Sequence, residues 1–142
     1  MSTSLLTDHS HAGVFCIDPN RIPLLQEEGI KHHLRWVALK LTGSTPQETL
    51  QKIGHNLSFP DWYGANLDAL SDCLCDPEIF PANQGCVLLI QDLPQWRWEE
   101  PEALANLISV LDNACATRNG PGHPAWVLIA HPIAGLHTLP SA

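Results

Sequence analysis

Three aspartates, Asp68, Asp72 and Asp76, recur at every fourth position. On a helix of about 3.6 residues per turn they fall on one side, and Leu67, Leu70 and Leu74 share the roughly opposite side. Ala65 and Ala69 project on the acidic side and are too small to cover carboxylates. No Lys or Arg occurs between Lys52 and Arg97, so nothing near in sequence neutralises the three charges. Like charges at i, i+4 cost about 0.2–0.5 kcal/mol per pair, and Asp is a mediocre helix former. A chain that needed only a stable helix would be better served by Lys or Glu mixed in. The acidic side therefore reads as a surface that meets something positive.

The same carboxylates fit catalysis poorly. A glycosidase needs two carboxyl groups facing each other across a sugar, one with a raised pKa. Three aspartates on one exposed helix face stay ionised. Metal-assisted hydrolysis needs ligands converging from several elements, and His55 in the preceding segment is a single candidate. Cys73-x-Cys75 is too short a spacing for a zinc knuckle and has no second cysteine pair. His9-x-His11 and His32-His33 read as surface residues. The chain has no Gly-rich phosphate loop and no nucleophile elbow. It is not expected to be an enzyme, and no metal or cofactor is called for.

The segment before the helix is Pro60-Asp61-Trp62-Tyr63-Gly64-Ala65-Asn66. One aromatic of the Trp62-Tyr63 pair is expected in the core. Gly64 is expected to supply an unusual turn conformation. Asn66 suits an N-cap as well as it suits partner contact. Asp68, in the first helical turn, could answer to the helix dipole. Asp72, in mid-helix, gains little from it and is the stronger candidate for recognition.

These residues must be held by the elements around them. Residues 13–17 form a short apolar run, read as a strand, and 23–29 a short helix ending at Gly29. Residues 34–41 read as a strand. Thr45-Pro46-Gln47-Glu48 combines a cap, a proline at the first helical position and the partner of a capping box. Leu50, Ile53 and Leu57 continue that helix until Ser58-Phe59-Pro60 ends it. The acidic helix then runs from about residue 66 to 76. A loop over 77–85 leads to residues 86–90, an apolar strand of the kind buried on both faces of a parallel sheet. A second loop over 91–100 carries Trp96-Arg97-Trp98. A helix from 101 to about 118, with Leu104, Leu107, Ile108 and Leu111 inward, precedes a last buried strand over 125–129. Strands alternating with helices predict an α/β domain with a small parallel sheet.

The stretch from Pro60 to Leu74 resembles the barstar family of intracellular ribonuclease inhibitors. The matching residues are Pro60, the acidic Asp61, the aromatic pair Trp62-Tyr63, Gly64, Asn66-Leu67-Asp68-Ala69-Leu70 and Asp72-Cys73-Leu74. A looser resemblance runs from about Leu34 to Ile129. The resemblance implies a barstar-like domain, over residues 12–131, of three to four parallel strands and about four helices. Residues 1–11 and 132–142 are then flexible tails. It also implies a protein partner, a small basic ribonuclease whose active site is plugged by the acidic helix and the preceding turn. Asp68 and Asp72 are cast as the carboxylates that meet Arg and His groups there. Trp62, Tyr63, Gly64 and Asn66 complete the contact surface. Trp62 stands where Tyr is usual, and Ser71 where some members carry an aromatic. The best studied member uses an acidic residue late in the helix before the last strand; Asn113 falls there, with Asp112 beside it. The runner-up reading is a non-catalytic interaction module of the same fold with a partner other than a nuclease.

Composition agrees with an acidic binding protein. Seven basic residues against fifteen acidic ones leave a net charge of −8. That sign argues against nucleic acid or an anionic membrane surface as direct partner. Five cysteines, an odd number with no CxxC, fit buried free thiols in a reduced, cytoplasmic protein. No secretory signal pattern opens the chain, and no apolar run approaches about 18 residues.

Overall fold

The structure is a computed structural model. It describes residues 13–41, 45–76, 78–79, 85–92, 99–119 and 125–130. The expected tails and the Trp96-Arg97-Trp98 loop lie outside the described residues.

Four strands, β1 (Gly13–Cys16), β2 (Arg35–Lys40), β3 (Cys86–Asp92) and β4 (Ala125–Ile129), form one sheet in the order β1-β4-β3-β2. All three pairings are parallel, and the N-terminal run is the fourth strand, paired with β4. Four α-helices cover the sheet: α1 (Ile22–Lys31), α2 (Pro46–Asn56), α3 (Leu67–Cys75) and α4 (Pro101–Asn119). This is the expected α/β domain. The two central strands explain the apolar runs. On β3, Cys86, Leu88 and Ile90 enter a core shared with Ile53 of α2, Leu70 and Leu74 of α3, and Leu107 and Leu111 of α4. Val87 and Leu89 turn the other way, to a smaller core with Trp126, Leu128 and Leu25 of α1. The period-2 alternation of a strand thus feeds two helical layers, and both faces must be apolar.

Local signals set most element starts. Glu48 N donates to Thr45 Oγ1 at 3.1 Å and Thr45 N to Glu48 Oε1 at 3.3 Å, closing the capping box with Pro46 behind it. On α4, Leu107 and Leu111 are buried, joined by Ala114 and Cys115; Leu104 and Ile108 are half-buried. Gln91 and Asp92, expected in a loop, extend β3 along β2 with a register shift at Leu39/Lys40.

One boundary differs for a tertiary reason. Helix α1 does not end at Gly29 but runs on to Lys31. Gly29 lies buried within it, and an added Cβ would sit 3.0 Å from Trp36 Cε3. The left-handed residue after the helix is His33, with φ 59°. Gly29 is there for the close approach of Trp36, not as a helix stop.

Candidate functional site

The site begins where α2 ends. Ser58 takes a left-handed conformation at φ 57°. Phe59 N then donates to Gly54 O at 2.9 Å, folding the chain back against the helix. A turn follows, closed by Tyr63 N donating to Pro60 O at 2.9 Å. Its two tip residues, Asp61 and Trp62, both face solvent. Trp62 is 60% exposed, a large apolar side chain that the fold leaves uncovered.

Tyr63 is the inward member of the aromatic pair. Its hydroxyl donates to Leu50 O at 2.8 Å, and its ring meets Phe59 edge-on at 5.0 Å. Burial pushes the hydroxyl up to about 12, with Cys73 as a lesser cause. The turn is therefore tied to α2 at both ends, by Phe59 and by Tyr63, while its tip points away.

The expectation for Gly64 needs correction. Gly64 is not left-handed; the residue that is, at φ 51°, is Ala65. Ala65 also does not join the acidic side, since it precedes the helix and is buried. A Cβ on Gly64 would lie 3.1 Å from Asn66 Nδ2, tighter than ordinary contact, so the glycine makes room beside the capping side chain. Asn66 is that cap: Ala69 N donates to Asn66 Oδ1 at 2.8 Å. Its preceding-residue signal was hidden, because nothing in an alanine announces a positive φ.

Helix α3 then shows the two faces its spacing predicts. Leu70 and Leu74 are buried and Leu67 half-buried, while Asp68 and Asp72 are exposed. Among the described residues, neither carboxylate makes a hydrogen bond or an ion pair. Cys73, buried behind them, has its thiol pushed up by burial first and then by Asp72 and Asp76. Asp76 has a local task. It ends α3 in an extended conformation and its Oδ1 accepts from Glu78 N at 2.9 Å. The structure thus brings Trp62, Tyr63, Gly64, Asn66, Asp68 and Asp72 into one continuous turn and helix. Asn113 is on α4, the helix packed against α3. It is exposed, and its neighbour Asp112 lies toward Gly13 on β1, 3.6 Å from where a Cβ would be. Sequence reading also missed Gly54, on which the ring of Tyr63 rests.

Among the described residues, the turn and α3 thus present two exposed carboxylates and one exposed indole. The family model for barstar (barnase inhibitor) matches residues 37–130. The chain belongs to the barstar family. The matched span runs from β2 through β4 and includes the whole turn and α3, so the barstar segment and the geometry coincide. Strand β1 and helix α1 precede it. The family is one of inhibitors, and it implies a protein partner. A search of curated proteins returns no match to this chain.

Proposed function

We propose that this barstar-family protein inhibits a small basic ribonuclease by covering its active site with the Trp62 turn and the acidic face of α3. The observation that carries the reading is the pairing of an exposed indole, on a turn tied down from behind, with exposed carboxylates that no described cation engages. A ribonuclease site holds Arg, Lys or His groups for RNA phosphates. Asp68 and Asp72, one helical turn or about 6 Å apart in rise, offer such groups ordered anions in place of phosphates. Trp62 would pack at the rim of the same cleft as an apolar anchor. Gly64 and Asn66 hold the turn against the helix start, and Tyr63 holds it from within. Asn113 would add a contact from α4, the helix packed against α3. Inhibition is then by occlusion, with no bond made or broken. It would take place in the cytoplasm, protecting the producing cell from its own nuclease. At a net charge of −8 the protein is itself no ligand for RNA.

A second reading, a non-catalytic module with a different partner, is favoured by two residues. Trp62 is larger than the usual Tyr, and Ser71, half-buried on α3, brings no aromatic ring. One experiment separates the two. The protein is immobilised and exposed to lysate and medium of its source, and retained proteins are identified and assayed for RNA hydrolysis. Recovery of a small basic ribonuclease that the free protein blocks at equimolar ratio supports inhibition. Recovery only of an acidic or membrane protein overturns it.

A further inference from the structure

We propose that Gly54 is a positioning residue for the interaction surface: its missing side chain seats the Tyr63 ring on α2, and that seat sets where Trp62 projects. Its binding consequence rests on the inhibitor reading; its structural part does not. Gly54 is buried in the third turn of α2. A Cβ there would lie 2.6 Å from Tyr63 Cδ2 and closer still to Cε2. No real Cβ tolerates that approach, so either the ring or the helix must move. The hydroxyl of the same ring bonds to Leu50 O, one helical turn earlier on the same face. Gly54 O accepts from the backbone N–H of Phe59, the residue just before the turn. Both anchors of the Pro60–Tyr63 turn thus converge on one turn of α2, and Gly54 belongs to both. Glycine inside a helix costs about 1 kcal/mol relative to alanine. That cost has a physical reason once the ring above it is seen. A side chain at 54 would lift Tyr63, break its bond to Leu50 and swing the two exposed tip residues. Gly54 itself is buried and touches no partner; it acts through Tyr63.

The test uses full-length protein labelled with nitrogen-15, with the Trp62 indole cross-peak assigned through Trp62→Phe. Gly54→Ala is expected to stay folded, to move or broaden that cross-peak, and to weaken binding to purified barnase at least tenfold. In a Tyr63→Ala background, whose fold is checked by the dispersion of the same spectrum, Gly54→Ala is expected to change binding less than twofold, because the ring it displaces is gone. Should Gly54→Ala alone fail to fold, adding Tyr63→Ala must restore folding. An unmoved Trp62 cross-peak in Gly54→Ala overturns the proposal. So do effects of Gly54→Ala and Tyr63→Ala that simply add, or a double variant that stays unfolded. The cross-peak is read without any partner. Wild-type protein that ignores barnase therefore counts against the inhibitor reading, while the seat of Tyr63 is still decided.

Discussion

Tyr63 is the only tyrosine in the chain, so its ionisation can be followed on its own. Its ordinary value of 10.0 is raised to about 12, chiefly by burial. The folded protein therefore keeps the proton longer than the unfolded chain does. Below about pH 10 this contribution to stability is complete; as pH rises from 10.0 toward about 12 the unfolded chain ionises first and stability falls. Tyrosinate absorbance should show a midpoint near 12 in folded protein and near 10 in urea. A folded midpoint near 10 would mean the hydroxyl is not held on α2. The two faces of α3 make a second prediction. Leu70→Ala should cost about 2–5 kcal/mol in urea unfolding, through the cavity it leaves. Asp72→Ala should be neutral or slightly stabilising, since it removes repulsion from Asp68 and Asp76. In the proposed complex with a ribonuclease the order should reverse. Asp72→Ala would strand a buried cation of the nuclease, at about 3–5 kcal/mol. Comparable stability losses in the two variants would assign Asp72 a structural partner instead.

At the scale of elements, the turn between α2 and α3 is bounded by two left-handed residues that are not glycine, Ser58 and Ala65. A side chain in that region costs roughly 1–2 kcal/mol, against about 0.5–1 kcal/mol for the extra freedom of glycine in the unfolded chain. Ser58 is exposed and its backbone N–H still donates to His55 O at 3.2 Å. Ser58→Gly should therefore raise stability by about 0.5–1 kcal/mol, checked by chemical denaturation, with no change in the Trp62 environment. A loss of stability would show that the hydroxyl matters more than the backbone. Ala65 is a different case, because its methyl group is buried and a glycine there would give up that contact.

For the whole molecule, a net charge of −8 acts at a distance. Association with a basic nuclease should slow by about an order of magnitude or more from low salt to about 0.5 M, as the Debye length shrinks to a few Å. A salt-independent rate would remove electrostatic steering from the mechanism. Labelled RNA should show no retardation even at low salt. The cysteines give a further check on the packed interior. Cys16, Cys73, Cys86 and Cys115 are buried and Cys75 is half-buried. A water-soluble thiol reagent should modify Cys75 quickly in native protein and all five cysteines after unfolding. Cys73 should be slow, since its raised pKa leaves little thiolate to react. Rapid native modification of Cys73 would mean that α3 opens from the sheet.

What could be read from the chain was whatever neighbours in sequence decide. The Thr45–Glu48 box, the apolar runs of β3 and β4, and the leucine and aspartate faces of α3 follow from backbone hydrogen bonding and side-chain period alone. So did the family, because the matching residues lie in one contiguous stretch. What the tertiary structure decided was the use of the glycines and the direction of the aromatics. Gly29, Gly54 and Gly64 looked like conformational residues or passed unnoticed. Each instead leaves space: for Trp36, for the Tyr63 ring and for the Asn66 side chain. Among the described residues that carry a side chain, His33, Ser58 and Ala65 take left-handed conformations. The choice between Trp62 and Tyr63 for the core also lay beyond local pattern. It depends on a carbonyl at Leu50, thirteen residues away, and on a bare patch of helix beneath the ring. Such contacts join residues that only the folded chain brings together, and no propensity or period of the separate segments encodes them.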